Sequence, residues 1–501
     1  MFRWLRRAYQ LVFTFLFFYL MFVTTARFIG GHPVHLFLAA DPLAAITTVL
    51  STHSLYRHLL WAVPLVLLTL AFGRFFCGWI CPMGVMHHLL GWMGRKRRVK
   101  DRLQSNRMRP SRQVKFAVLA VMLGMAALGS VQIGLLDPIA TTWRAFSTVF
   151  VPAAGNATFG FYNGERHFQF GALIGILFLA AVGLNFIYPR FYCRVLCPLG
   201  ALLGLLSKFS LFRIARTRSK CNDCGLCAAD CQGAATPDTG TQQTECMVCL
   251  NCIEACPREA IGFRFVPPKP LTSTATDLGR RRWVTALASG VVSVPLLRAS
   301  AGVDARPDPR RIRPPGSLAE ADFLERCLKC GACMKVCPTG GLQPALTEAG
   351  LEGLWTPLLI PRFGYCEQSC VACGHVCPTG AVRELSVAEK VGTGQHREPV
   401  RIGSAYFDKG RCLPWAYDVE CIVCEEVCPT SPKAIYFEEA TVTLRDGSEK
   451  RLKRPRVDLK HCTGCGTCEA RCPITDRAGV RCSSVGESRD PDNQLIMDGD
   501  V

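Results

Sequence analysis

Apolar positions gather in four long runs in the first part of the chain, at about Leu11–Ile29, Leu59–Phe76, Phe116–Leu136 and Phe170–Tyr188, with at most one charged residue in each. Each run has the length and apolarity of a helix that crosses a bilayer. The polar positions between them are uneven. Arg3, Arg6 and Arg7 precede the first run, and the basic segment "RKRRVKDRLQSNRMRPSRQVK" separates the second from the third, whereas the loops after the first and third are poor in Lys and Arg. By the positive-inside rule both ends of this module face the cytoplasm of a bacterial inner membrane. The formal net charge of +19 is concentrated in that loop, so it reads as a membrane-flanking segment, and no nucleic-acid partner is expected.

The pattern also repeats. "DPLAAITTVL" at Asp41 and "DPIATTWRAF" at Asp137 follow the odd-numbered runs, while "RFFCGWICPMG" (74–84) and "RFYCRVLCPLG" (190–200) end the even-numbered ones. A duplicated four-span unit follows, each half placing a Cys-x3-Cys-Pro pair at the cytoplasmic face. After Arg213 the chain turns polar and cysteine-rich as far as Phe265, then passes a Pro/Ser/Thr linker into "GRRRWVTALASGVVSVPLLRASAG". Its arginines, short apolar stretch and Ala299-Ser300-Ala301 pattern have the anatomy of a twin-arginine export signal, here internal. The expected fold is therefore an α-helical membrane domain, four-span and internally duplicated, plus α+β bacterial-type ferredoxin domains. Its divisions are 1–213 for the membrane domain, 214–266 for a cytoplasmic ferredoxin domain, 267–306 for linker and signal or anchor, and 307–501 for an exported ferredoxin domain.

Composition sharpens the chemistry. There are 29 cysteines, too tightly grouped for a disulfide scaffold, and long apolar runs are foreign to such scaffolds. Two quartets lie in the cytoplasmic segment: Cys221, Cys224, Cys227 and Cys231, then Cys246, Cys249, Cys252 and Cys256. Four more lie beyond residue 307: Cys327, Cys330, Cys333 and Cys337; Cys366, Cys370, Cys373 and Cys377; Cys412, Cys421, Cys424 and Cys428; Cys462, Cys465, Cys468 and Cys472. The spacing is that of ferredoxins, in which three cysteines of one motif hold a [4Fe–4S] cube and the fourth reaches to the partner cube. Zinc sites rarely place a third cysteine two residues on. Six cubes are expected. In the last domain the spacing leaves two pairings open, adjacent motifs together or first with fourth and second with third. Cys482 is left over, a structural or incidental thiol.

The pairs Cys77/Cys81 and Cys193/Cys197 are too few to hold a cube each. Helical spacing would put each pair one turn apart on one face, with Pro82 and Pro198 marking a helix end. Duplication would bring the four thiols together near a two-fold axis, to bind a metal or a seventh cluster or to cycle between dithiol and disulfide. Small packing residues are the plainer alternative. His32, His35, Asp41, His53 and Asp137, placed near the outer face, are candidate groups for binding a cofactor there.

On these motifs residues 1–265 resemble NapH, and the chain from about Arg280 resembles NapG/MauM, the ferredoxin-type proteins of quinol dehydrogenation, here fused in one chain. The resemblance implies that electrons from the membrane quinol pool pass through [4Fe–4S] clusters to a periplasmic cytochrome or reductase, as in a nitrate reductase chain. Two other roles compete: an electron-donating maturation factor for a periplasmic metalloenzyme, and a docking subunit whose clusters are structural. The fusion sets itself against signal cleavage, since a cut after Ala301 would undo it.

Overall fold

The computed structural model describes residues 2–26, 34–94, 98–106, 110–163, 166–266, 279–299, 308–395, 398–444 and 447–494. They form two compact units. The first comprises 1–23, 32–150 and 171–296, and the second 24–31, 151–170 and 297–501.

In the first unit, α1 (Phe2–Val23) runs 22 residues, about 33 Å at 1.5 Å per residue. Among the described residues it is the one helix long and apolar enough to cross a membrane. The other three expected runs are shorter as helices. α3 (Ala62–Phe72) stops at Gly73, whose φ of +79° suits glycine,. α6 (Val114–Ala127) is closed by a turn with Gly129 at φ +75°, and α8 (Gly171–Gly183) tightens into a 3-10 turn over Leu184–Phe186. The hydropathy runs could not reveal these breaks, because glycine is apolar enough to pass unnoticed within them.

The repeated Asp-Pro and Cys-Pro dipeptides all start helices. Asp41 caps α2 (Pro42–Thr52), its side chain accepting from the Leu43 amide at 2.9 Å. Asp137 caps α7 (Pro138–Ala145), accepting from the Ile139 and Ala140 amides, both at 2.7 Å. Cys81 and Cys197 hold the equivalent places before α5 (Pro82–Met93) and α9 (Pro198–Leu206). A short acceptor side chain followed by proline meets the demands of a helix start, since proline has no amide to leave unsatisfied there. The prolines expected to end helices therefore begin new ones. The halves interlock: α2 packs on α6 of the other half, α5 on α7, and α9 on α3.

Beyond α9, the strands β1 (Phe212–Arg216) and β2 (Ile261–Phe265) pair antiparallel around the first cysteine-rich segment. The segment expected as a signal is a helix, α10 (Arg280–Ala299). It lies against α6 with Gly290 facing the Val121 carbonyl and Gly124 facing that of Leu287, too close for any side chain at either glycine. Arg282 donates to Gln113 at 2.7 Å, so the two helices run in the same direction. The linker at 267–278 and residues 300–307 lie outside the described residues.

The second unit is α+β, short helices between small antiparallel sheets: β3 (Leu342–Pro344) with β4 (Pro357–Leu359), β5 (Ser404–Phe407) with β8 (Val480–Ser483), and the long hairpin β6 (Ile435–Thr443) with β7 (Glu449–Val457). Its core residues gather around the cysteine motifs.

At the start of α6, Lys115 forms a fully buried ion pair with Glu245 at 2.5 Å. Removing one partner of a buried pair strands the other charge, at a cost of about 3–5 kcal/mol, while an apolar replacement of both is close to neutral. Glu245 Oε2 also lies 3.8 Å from the buried Arg74, so Lys115→Met leaves the carboxylate one partner and is expected to destabilise the first unit by less than that amount, while Lys115→Met with Glu245→Leu, which takes the carboxylate from Arg74 too, is expected to cost more than the single change, as read by thermal unfolding in detergent.

Candidate metal centres and thiol site

Left-handed turns bend four of the cysteine loops, with Leu250 at φ +58° in the second. Gly225, Gly331 and Gly466 lie at φ +73°, +79° and +81° just before short helices that carry the next cysteine. Four of the resulting quartets wall cavities: Cys231 with Cys246, Cys249 and Cys252; Cys337 with Cys366, Cys370 and Cys373; Cys412, Cys421 and Cys424 with Cys472; and Cys428 with Cys462, Cys465 and Cys468. Each joins three cysteines of one motif to the last of its neighbour. In the second unit Cys377 correspondingly sits beside Cys327 and Cys333. Adjacent motifs thus pair, which settles the alternative that spacing left open. Among the described residues no three His, Cys, Asp or Glu side chains converge tightly enough for a single metal ion. Thiols spread around a void suit a cube, whose four irons each take one sulfur.

The cage walled by Cys231, Cys246, Cys249 and Cys252 is tied to the helices by buried arginines. Arg6 donates to the Cys249 carbonyl at 2.7 Å, Arg74 to that of Thr244 at 2.7 Å, and Arg194 to those of Cys231 and Gln232 at 3.2 and 2.7 Å. Arg190 reaches the Gln232 side chain at 2.6 Å, and the Trp79 indole donates to Val248 at 2.9 Å. Arg74 and Arg190 are the arginines that open the two repeated motifs. The sequence showed them beside the cysteines but gave no sign of what they bind, because their partners are carbonyls more than forty residues away.

The four thiols gather in one region. Each of Cys77, Cys81, Cys193 and Cys197 lies within electrostatic reach of the other three. Burial and the neighbouring thiols push Cys81 and Cys197 well above the ordinary thiol range; burial also raises Cys193, against the opposing pull of Arg190. The Cys197 sulfur accepts from the Gly200 amide at 3.2 Å, and Arg74 lies 3.8 Å from the Cys77 sulfur.

Asp41 and Asp137 come together. Both are buried, their carboxyls touch, and Asp137 lies within reach of Cys81 and Tyr192. Burial raises both carboxyls, Asp41 the more strongly, because two anions in contact away from water must share a proton,. Of the histidines, His35 packs edge-on against His58 with ring centroids 4.5 Å apart, and His53 closes α2 in a left-handed conformation. His32 lies outside the described residues. These histidines sit at helix ends in the loops, which is why proximity in sequence to Asp41 did not translate into a shared site.

Two groups beside the cages went unnoticed in the sequence. Lys390 donates to the Cys366 sulfur at 3.2 Å and is buried. Cys482, read as incidental, hydrogen-bonds the Cys468 thiol and lines the same cavity. A lysine 24 residues from its cysteine carries no local signal.

The cages, the small sheets and the paired motifs define an iron–sulfur electron-transfer protein of the ferredoxin type. A family model described as a 4Fe-4S binding domain matches residues 55–100, 170–218 and 373–388, and a second of the same description matches 323–343. The first two segments contain the repeated Cys-x3-Cys-Pro motifs. The chain is 35% identical over 205 residues to the methylamine utilization ferredoxin-type protein MauM of Methylorubrum extorquens, covering 39% of this chain and 83% of MauM. It is 34% identical over 210 residues to the ferredoxin-type protein NapG of Escherichia coli, covering 40% of this chain and 84% of NapG. YccM of Escherichia coli, whose name assigns it to electron transport, is 29% identical over 205 residues, and the match spans 53% of its length. No solved structure matches. The chain belongs to the MauM/NapG family of ferredoxin-type proteins.

Lys390 gives the cage of Cys337, Cys366, Cys370 and Cys373 a charged hydrogen bond, which favours the more negative, reduced state of any cluster held there. Such bonds are worth about 1.5–3 kcal/mol, and about 59 mV corresponds to a tenfold change for one electron. Lys390→Met is expected to lower one midpoint potential by roughly 60–130 mV and leave the others in place, as followed by redox titration with electron paramagnetic resonance.

Proposed function

We propose that the chain is a membrane-bound quinol dehydrogenase that passes electrons through six [4Fe–4S] clusters to a periplasmic redox protein, a cytochrome or a reductase of the nitrate reductase type. The observation that carries this reading is the arginine-held junction between a cluster cage and the duplicated helices, because it couples an electron carrier rigidly to an apolar module. Apolar side chains exposed on α1, α3, α8 and α10, among them Phe15, Leu67, Ile176 and Val292, support contact with lipid,. A lipid-facing helix pair joined through small residues also fits the contact of α10 on α6. Although α10 is less apolar than α1, we read it as a retained helix parallel to α6 that runs outward from the cytoplasm, with 214–266 inside and 307–501 outside as the consequence of that reading. Retention explains how a chain with an export-like segment keeps both of its parts.

Each cluster, when bound, takes up and gives up one electron. The protein's own part is to hold the cages in a fixed order and to set their potentials through burial, charge and hydrogen bonds such as those of Lys390 and Cys482. The four thiols, gathered beside the Asp41–Asp137 pair and bridged by Arg74 to the segment that leads into Cys246, are the second redox-capable element of the module. We read them as a dithiol relay between the cage at Cys231 and the clusters that follow it.

Anaerobic preparation is expected to give about twenty-four iron atoms per chain, four for each cysteine quartet, with a visible absorption that bleaches when a short-chain quinol is added. Iron near eight, or no bleaching by quinol with full bleaching by dithionite, would sink this function. Cys77→Ser or Cys197→Ser should retain the iron and lose quinol-driven bleaching; full activity in the quadruple serine variant would return the four thiols to a packing role.

A further inference from the structure

A cavity of about 190 Å³ opens in the first unit between α1, α5, the turn after α8 and the cytoplasmic cysteine loops. Three features set it apart. Cys231 lines both this cavity and the cage it shares with Cys246, Cys249 and Cys252, so a molecule seated here would touch a wall of that cage. Two of its lining side chains are buried polar groups with atoms in no good hydrogen-bond geometry: both ring nitrogens of His87, whose polar neighbour is the Asn185 side chain, and Arg194 Nη1, on a side chain that lies beside Tyr188. Buried polar atoms are seldom left so. The rim, finally, is apolar and open, formed by Trp92, Phe186 and Ile187, which are 64%, 57% and 82% exposed.

The imidazole is kept as a proton acceptor. Burial first, and then the charge of Arg190, lower His87 to about 4, so its ring is neutral near pH 7,. The Asn185 amide beside it is turned to the His87 carbonyl, at 3.3 Å, and its ring lies parallel to that of Tyr192. Arg194 is held in place by its bonds to Cys231, Gln232 and Asn106, which leave Nη1 as a fixed donor.

We propose that this cavity is the quinol site, with His87 accepting the hydroxyl proton, Arg194 Nη1 donating to a ring oxygen, and the isoprenoid tail leaving past Trp92, Phe186 and Ile187. The inference rests on the quinol dehydrogenase reading above and moves its site away from the histidines and aspartates expected at the outer face. A flat ring with two oxygens and an apolar tail meets all three features, whereas a free anion would leave the rim unused. Oxidation of one quinol to quinone breaks two O–H bonds. The protons are taken in turn by His87, which releases each through the open side to water, and the two electrons leave singly to the oxidised cluster held at Cys231.

His87→Leu tests this in the full-length protein, since a leucine there replaces an imidazole whose ring nitrogens are in no good hydrogen-bond geometry and should not disturb folding or iron content. The probe is a hydroxyquinoline N-oxide whose fluorescence is quenched on binding. His87→Leu is expected to weaken its binding at least tenfold and to slow quinol oxidation about a hundredfold, with unchanged iron and unchanged reduction by dithionite. His87→Gln, which keeps a hydrogen-bonding group without an acid–base function, should restore binding of the probe while kcat stays low. Wild-type affinity and turnover in His87→Leu would overturn the site and leave the quinol dehydrogenase reading standing. Failure of the wild-type protein itself to bind the probe or oxidise quinol would overturn both.

Discussion

The buried arginines are what the first unit depends on. Arg6, Arg74, Arg190 and Arg194 are nearly inaccessible to water, where a lone guanidinium would be costly, and they are tolerated because each spends its donors on carbonyls and amides of the cysteine loops. Those loops have little regular structure of their own to satisfy their backbone groups. The requirement is mutual: the loops need donors and the arginines need acceptors. A planar guanidinium with several fixed donors can meet two or three acceptors at once. The cysteine loops are thereby held against α4 (Phe75–Trp79), α5 and α9 without needing an extensive apolar interface.

A second constraint is local and repeated four times. Asp41, Cys81, Asp137 and Cys197 each precede a proline that opens a helix, so each side chain is drawn toward free amides at a helix start. Duplication then sets these helix starts across from one another. The aspartates meet, and the thiols gather in one region, because the same turn geometry occurs once in each half. Partial positive charge at a helix start also favours the ionised form of the side chain there, which offsets part of the burial that holds these thiols and carboxyls protonated.

Much of this was legible in the sequence, because the signals were local. The cysteine quartets, the duplication and the change from apolar to polar pattern near Arg213 each involve residues within one motif or one helix, and the α+β ferredoxin segments follow from them. Helix lengths were not legible, since Gly73 and Gly129 interrupt the apolar runs without altering their hydropathy. The contact between Asp41 and Asp137 was hidden for a related reason: an aspartate flanking an apolar run looks like an interfacial residue until its proline neighbour is recognised as a helix start. Lys390, Cys482 and the arginine contacts depend on pairings across tens to hundreds of residues, which one sequence does not display.

The glycine contact between α10 and α6 bears on kinetics. Because Gly124 and Gly290 allow the two backbones to touch, the chain leaves the first unit from a pinned helix and not from a free end. Two electron carriers on separate polypeptides meet at a rate set by their abundance, whereas carriers joined through a seated helix share an effective concentration that dilution does not change. Under the function proposed above, transfer between them would be first order in the one chain, with their stoichiometry fixed at synthesis.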